Sequence, residues 1–229
     1  MTCFGDAARP SRGMLGPLPP YIQLQSFLPG HELARLLEWT LSNEHRFKPA
    51  KVTRMRDDTL KSVLDPDFRI AATLSDLGPC EAAISEHLLG ALPSLMEATG
   101  TRGPEPNSLD LQIAAHGDGA HYQAHLDIPV GPGRKSLGAR EGEDRILSAV
   151  LYFHVEPKAF SGGKLRLHSF GTGRCPDDDP QQYVDLEPLQ NSLAVFPSWV
   201  RHEVRKVSCP GGRFSDYRFA LNCWYCRKL

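Results

Sequence analysis

The spacing of apolar residues predicts two helices in the first half of the chain. Four leucines recur at helical spacing within residues 31–42, directly after the helix-breaking pair Pro29-Gly30. A second apolar stripe covers residues 80–98 and contains Pro93, which should kink or divide that helix. Residues 1–20 contain four prolines and three glycines, so we expect a flexible N-terminal arm followed by a single domain over residues 21–229.

From about residue 108 onward the periodicity changes to that of strands. Leu109, Leu111 and Ile113 alternate with polar neighbours, which is the pattern of a half-buried strand. Helices followed by many short strands indicate an α+β domain with a sandwich or barrel of antiparallel strands. The connections 128–144 and 169–188 have the length of lids, binding loops or disordered segments. Further strand-like runs occupy residues 146–155, 163–168, 193–197, 203–207 and 219–225.

Composition narrows the class of protein. At 229 residues, with 41% hydrophobic and 23% charged residues, the chain fits one sizeable globular domain. The formal net charge of −1 gives no electrostatic reason to expect nucleic acid or an anionic membrane as a partner. No apolar run has the roughly 18–20 residues of a membrane-spanning helix, and no export signal is evident near the start. We therefore expect a cytoplasmic protein whose six cysteines are reduced.

One short segment carries the strongest candidate for chemistry. His125 and Asp127 stand two positions apart in an extended run, so that on a strand both side chains point to the same face. His202 follows the apolar run 193–197 and is the candidate for a third ligand. Two imidazoles and one carboxylate leave three positions open on an ion, which is the ligand set expected of non-haem Fe(II) oxygenases.

A second H-x-D pair competes with this one. His116 and Asp118 have the same spacing, but glycines follow each of them and indicate a turn, which holds side chains loosely. Turn chemistry thus favours His125 and Asp127 over this pair without excluding it.

Five motifs in order resemble the prolyl 4-hydroxylase branch of the 2-oxoglutarate/Fe(II) oxygenases. The family pattern Y-x-x-G-x-x-Y-x-x-H-x-D matches residues 116–127 in spacing, with His116 in place of the first tyrosine. This match assigns the metal pair to His125 and Asp127. A weaker likeness to the family's opening strand covers residues 21–28. The other four motifs are RILSAVLYF at 145–153, FSGGKLRL at 160–167, NSLAVFP at 191–197 before His202, and RFALNCW at 218–224.

The resemblance implies a fold, cofactors and a reaction. The fold would be a double-stranded β-helix, the jelly-roll or cupin-like core, with supporting N-terminal helices. The cofactors would be Fe(II) and the cosubstrate 2-oxoglutarate, with ascorbate as a candidate accessory. The reaction would hydroxylate a C–H bond of a peptidyl, amino-acid or other small-molecule substrate, with release of succinate and CO2. The retained carboxylate ligand, Asp127, resembles that of hydroxylases, since halogenating relatives lose it.

The resemblance also implies cosubstrate-binding residues. Arg218 would bind the distal carboxylate of 2-oxoglutarate through its planar fork of donors, with Tyr152 as a second donor and Tyr122 lining the pocket. Arg213 is the alternative, because it lies eleven positions after His202 and so nearer the usual spacing. The strand pattern of residues 218–224 favours Arg218 and leaves Arg213 in a solvated turn. Trp224 is expected to be a core aromatic residue.

Three other hypotheses about the function of these residues remain open at this point. A zinc hydrolase would use the same His, Asp and His ligands but has no general need for Arg218 with Tyr152. A cupin-like binding module would carry a vestigial site, against which the complete triad argues. Cys223 and Cys226 have the spacing of half a zinc site, but no second C-x-x-C accompanies them.

Overall fold

A computed structural model describes residues 18–56, 59–103, 105–128, 143–169 and 183–228. The predicted arm and most of the two long connections lie outside the described residues. Helix α1 is Gly30–Ser42 and α2 is Glu81–Ala98. The strands are β1 Ile22–Leu24, β2 Lys48–Pro49, β3 Val52–Arg56, β4 Thr59–Val63, β5 Arg69–Ile70, β6 Ala72–Leu74, β7 Ser108–His116, β8 His121–His125, β9 Glu143–Phe153, β10 Ser161–Gly162, β11 Leu165–His168, β12 Tyr183–Leu186, β13 Ser192–Pro197, β14 His202–Val204, β15 Val207–Ser208 and β16 Arg218–Lys228.

Both predicted helices are present, close to their predicted bounds. Helix α2 runs through Pro93 without a break, so the expectation that the proline divides the helix is wrong. The apolar stripe explains this, because buried leucines lie on both sides of the proline, Leu92 and Leu95 among them, and hold the helix against the core. Among the described residues, no helix is long and apolar enough to cross a membrane.

Two antiparallel sheets form the double-stranded β-helix. The larger sheet has the order β1-β13-β9-β16-β7-β6-β2, and the smaller sheet has the order β12-β11-β14-β8-β5. Successive residues of β9 show the layering. Leu151 packs in a hydrophobic cluster with buried residues of both helices. Tyr152 packs in a second cluster, formed by residues of the two sheets that face each other. The molecule is therefore α+β, with helices on the outer face of the larger sheet and a cavity between the two sheets.

Several short strands were not predicted. Strands β2 to β6 lie within residues 48–74, and β12 lies in the predicted connection 169–188. The predicted strand 203–207 is two separate pieces, β14 and β15. These strands are two to five residues long and partly exposed, so they lack the extended apolar alternation that reveals a longer strand.

Candidate metal centre

The structure brings His125, Asp127 and His202 together. His125 ends β8, Asp127 follows two residues later, and His202 begins β14, the neighbouring strand. In the antiparallel register His202 lies opposite His125, and the centres of the two rings are 4.2 Å apart. One potential ligand atom from each of the three residues lies within 4.8 Å of the others. Among the described residues, this is the single cluster of three or more such side chains.

Backbone carbonyls orient both imidazole rings. Nδ1 of His125 lies 2.8 Å from the carbonyl oxygen of Gln123, and Nδ1 of His202 lies 2.9 Å from that of Val200. A carbonyl only accepts, so each Nδ1 donates a hydrogen bond to it, and Nε2 is the ring nitrogen left to face a metal. The two Nε2 atoms lie 3.7 and 3.5 Å from the Asp127 carboxylate. The donor set thus faces a common centre in the tautomer that a metal requires.

Two side chains outside the donor set also hold the Asp127 carboxylate. Its Oδ2 accepts hydrogen bonds from Ser148 Oγ at 2.6 Å and from Trp224 Nε1 at 2.9 Å. Burial raises the pKa of Asp127, but the neighbouring histidines, Arg145 and Ser148 outweigh burial and lower the pKa to about 2. Trp224 is only partly buried and contacts the site, so the expectation of a core aromatic residue is wrong.

The competing pair does not form a site. Asp118 Oδ1 accepts the backbone N–H of Cys209 at 2.7 Å, which fixes the turn that contains it. His116 ends β7 and lies instead beside Arg218, 3.1 Å from Nδ1 to Nη1. The hypothesis of a metal pair at 116 and 118 is therefore wrong.

Arg218 lines the same cavity as the three candidate ligands. The cavity has a volume of about 610 Å³, and Tyr152, Tyr122 and His116 also line it. Arg218 is 1% exposed, its Nε donates to the carbonyl oxygen of Gly163 at 2.8 Å, and its Cζ lies 4.9 Å from the Tyr152 ring centre. Gly163 has φ +68°, and a Cβ there would lie 2.6 Å from Arg218 Cδ, so the arginine needs glycine at this position.

Two buried donors at this end of the cavity lack partners among the described residues. They are Nη2 of Arg218 and the hydroxyl of Tyr152. Burial raises the pKa of Tyr152 to about 12, although the charge of Arg218 and its interaction with the phenol oxygen act in the opposite direction, so the phenol keeps its proton and can donate. An unsatisfied buried donor is costly. A planar carboxylate is the complementary ligand for these two donors, which therefore fit a carboxylate of 2-oxoglutarate. The His, Asp and His set at the other end of the cavity fits a metal.

His116 has a role that the sequence reasoning missed. Burial, together with the charges of Arg218 and Arg69, lowers the pKa of His116 well below its usual value. The ring is therefore neutral, and its Nδ1 accepts from Arg218 while adding no second positive charge. The departure from the family's tyrosine marked this position, but the direct cross-strand pairing of residues 116 and 218 appears only in the structure.

The structure places the remaining candidate residues either in the cavity wall or away from it. Tyr122 stacks on the His125 ring with 3.6 Å between ring centres and lies in the cavity wall. Arg213 has a side chain 78% exposed, forms an ion pair with Asp216, and does not line the cavity. Cys223 is a buried thiol, and no cysteine belongs to the described metal cluster.

Comparisons with known proteins agree with this geometry. Residues 111–226 match the model of the 2OG-Fe(II) oxygenase superfamily. An uncharacterized PKHD-type hydroxylase of Synechocystis sp. (strain PCC 6803) is 28% identical over 209 residues, which are 91% of this chain and 64% of that protein. The chain thus spans slightly under two thirds of that relative's length.

Solved structures show the same fold. A prolyl-4-hydroxylase of Pseudomonas putida aligns with a TM-score of 0.59 at 22% identity, covering 92% of this chain and 94% of that one. A prolyl hydroxylase of Trichoplax adhaerens, solved with a hypoxia inducible factor peptide fragment, aligns with a TM-score of 0.56 at 20% identity, covering 90% and 83%. With the family model matching half of its length, the chain belongs to the 2OG-Fe(II) oxygenase superfamily.

Proposed function

We propose that this protein is an Fe(II)- and 2-oxoglutarate-dependent dioxygenase that hydroxylates a C–H bond of an amino-acid, peptidyl or other small-molecule substrate. Succinate and CO2 are the coproducts. The observation that carries the proposal is that one cavity contains a His, Asp and His donor set and two buried donors, Arg218 Nη2 and the Tyr152 hydroxyl, without partners among the described residues. Family membership and the name of the Synechocystis relative support it.

At one end of the cavity, His125, Asp127 and His202 hold the iron. The Nε2 lone pairs are available because the carbonyls of Gln123 and Val200 hold the Nδ1 protons. The carboxylate supplies negative charge to the cation, and Ser148 and Trp224 fix its orientation. When bound, iron and 2-oxoglutarate would together allow dioxygen to oxidise a C–H bond of the substrate.

At the other end, Arg218 and Tyr152 bind the distal carboxylate of 2-oxoglutarate. Arg218 offers Nη2 and Tyr152 offers its hydroxyl, so that the two unpartnered donors acquire acceptors on the same ligand. Tyr122, stacked on His125, closes the wall beside the cosubstrate and limits the access of water. Ascorbate is proposed as an accessory reductant and is supplied in the assay below.

Succinate formation tests the proposal. The purified full chain is incubated with Fe(II), ascorbate and 2-oxoglutarate, and succinate is measured alone and with pools of peptides, amino acids and metabolites. Mass spectrometry then searches each pool for the gain of one oxygen atom. We expect slow succinate formation without substrate and faster formation with the correct pool.

Binding gives a second, independent readout. We expect 2-oxoglutarate to bind the metal-loaded protein under anaerobic conditions in isothermal titration calorimetry. Zn²⁺ should inhibit the iron reaction, because it binds the same ligand types more tightly than Fe²⁺. Hydrolysis of a substrate with Zn²⁺, together with no binding of 2-oxoglutarate, would support the zinc-hydrolase alternative and overturn the proposal.

A further inference from the structure

Arg69 lies beside the candidate metal centre but belongs to no part of the function described so far. It begins β5, whose partner strand β8 places Tyr122 directly opposite it. Its Cζ lies 4.5 Å from the centre of the Tyr122 ring, and that ring stacks in turn on His125 at 3.6 Å. One aromatic ring therefore separates the Arg69 guanidinium from a candidate iron ligand.

The other arginines that line the cavity have polar partners. Arg54 donates to Asp65 at 2.8 Å, and Arg145 donates to Asp110 at 3.0 Å. Arg218 is bonded to Gly163 and faces His116. Within the described ranges, Arg69 has no ion pair with a carboxylate, and its buried Nε has no hydrogen-bond partner.

The charges of the site leave Arg69 unbalanced. With both ligands of the proposed function bound, the two positive charges of Fe(II) and the one of Arg218 cancel those of Asp127 and of the 2-oxoglutarate dianion. Burial lowers the pKa of Arg69, whereas Tyr122 and Asp127 act in the opposite direction. Arg69 is partly exposed, but its Nε is buried and the described residues provide no carboxylate for its guanidinium, so an anion in the cavity is the complementary ligand.

We propose that Arg69 binds a carboxylate of the substrate, and that the substrate is a small carboxylic acid such as a free amino acid. This inference rests on the proposed function. A guanidinium fork matches a carboxylate in shape and charge. Because Arg69 lies one ring from His125, the carboxylate and the oxidised carbon belong to the same small unit. An internal peptide residue with a neutral side chain has an amide at that position and offers no charge to Arg69.

NMR of the Arg69 side chain tests the inference without turnover. Protein labelled with ¹⁵N-arginine is loaded with Zn²⁺, which is diamagnetic, and saturated with 2-oxoglutarate. The Arg69 Nε–H signal is assigned by its loss in Arg69→Gln. The probes are acetate and the common amino acids, each paired with its primary amide. We expect the signal to move with at least one acid and not with the matching amide.

Variants separate Arg69 from the rest of the cavity. For an acid that binds, Arg69→Gln should weaken binding by about tenfold or more, as the loss of a charge-assisted hydrogen bond implies. Arg69→Lys, which keeps the charge but loses the fork, should show a smaller loss. Arg54→Gln is the matched control, because Arg54 lines the same cavity but is paired with Asp65, and it should preserve the preference for acids.

The remaining outcomes overturn the inference in distinguishable ways. If 2-oxoglutarate binds but acids and amides move the signal equally, or neither moves it, Arg69 is not a carboxylate site. If Arg69→Gln weakens the binding of 2-oxoglutarate itself by a similar factor, Arg69 serves the cosubstrate instead. If 2-oxoglutarate does not bind the wild-type protein, the proposed function fails and this inference fails with it.

Discussion

The two ends of the cavity, one at His125, Asp127 and His202 and the other at Arg218 and Tyr152, differ in how many of their polar groups are hydrogen-bonded within the protein. At the metal end, Nδ1 of each candidate histidine ligand faces a backbone carbonyl, and Oδ2 of Asp127 accepts two hydrogen bonds. At the cosubstrate end, Arg218 and Tyr152 are each about 1% exposed and each retains a buried donor without a described partner.

Under the proposed function, this difference implies two modes of ligand binding. The candidate metal end would be preorganised, since its candidate ligand atoms are already oriented by contacts within the protein. The cosubstrate end becomes fully hydrogen-bonded only when a ligand supplies the acceptors, so ligand binding there also removes a cost of burial. Variants that affect one end but not the other test this division.

The largest effect is expected for Asp127→Ala. The variant loses the one anionic candidate ligand, so metal affinity should fall by more than about 100-fold, beyond what the loss of a supporting residue causes. Succinate formation should be abolished. Isothermal titration with Co²⁺ or Fe²⁺ and the succinate assay measure these changes. His45→Ala, an exposed histidine outside the site, should leave both unchanged. Normal metal affinity in the Asp127 variant would contradict the assignment.

The second effect separates the two ends. Arg218→Ala removes the charge and up to two hydrogen bonds to the distal carboxylate, so 2-oxoglutarate affinity should fall by about 10- to 100-fold. Metal affinity should change by less than a factor of about 3, on the same scale of hydrogen-bond energies. Arg213→Ala is the matched control because its side chain is exposed and paired with Asp216. Unchanged 2-oxoglutarate affinity in Arg218→Ala would remove Arg218 from the mechanism.

A third variant tests whether the metal end depends on its supporting contacts. Trp224→Phe keeps an aromatic ring but loses the N–H that donates to Asp127. Removing such a support costs about 10-fold in metal affinity. Trp39→Phe also loses an indole hydrogen bond, in this case to the Asp76 carbonyl outside the site, and should not change metal affinity. Equal affinities in the two variants would show that the metal end does not need Trp224.

Local patterns were sufficient to predict that His125, Asp127 and His202 come together. The i and i+2 spacing placed two candidate ligands on one side of a strand, and the apolar run before His202 indicated the strand that precedes it. The two supports of Asp127 were not predicted. Trp224 is 97 positions from Asp127, and its indole N–H reaches the carboxylate only because the two sheets face each other. From the sequence alone, a side chain on a strand is equally consistent with a position in the core and with a position in a site, until the opposite sheet is known.

The first half of the domain was predicted less fully than the second. Strands β2 to β6 have two to five residues, too few to show a clear alternation, and β5 carries Arg69 into the cavity by pairing with β8. The position of Arg69 therefore depends on a non-local pairing between β5 and β8, which their short sequences do not specify.

The smallest and most specific effect concerns His116. His116→Phe keeps a ring of similar size but removes the Nδ1 atom that accepts from Arg218. The loss of one hydrogen bond, about 1 kcal/mol, should weaken 2-oxoglutarate binding by about 5-fold without affecting metal affinity.

The stability of the folded protein should also change with pH in a defined direction because of His116. The folded-state pKa of His116 lies well below 6.5, so below pH 6.5 the unfolded chain binds more protons at this residue than the folded one. The wild-type protein should therefore lose stability as the pH falls below 6.5, and the variant should lose less. Urea unfolding at pH 7.5 and pH 5.5 measures this difference, with His45→Ala as the control that keeps the wild-type slope. A variant that loses metal affinity as strongly as 2-oxoglutarate affinity would show that His116 supports both ends, and the division of the cavity would not hold.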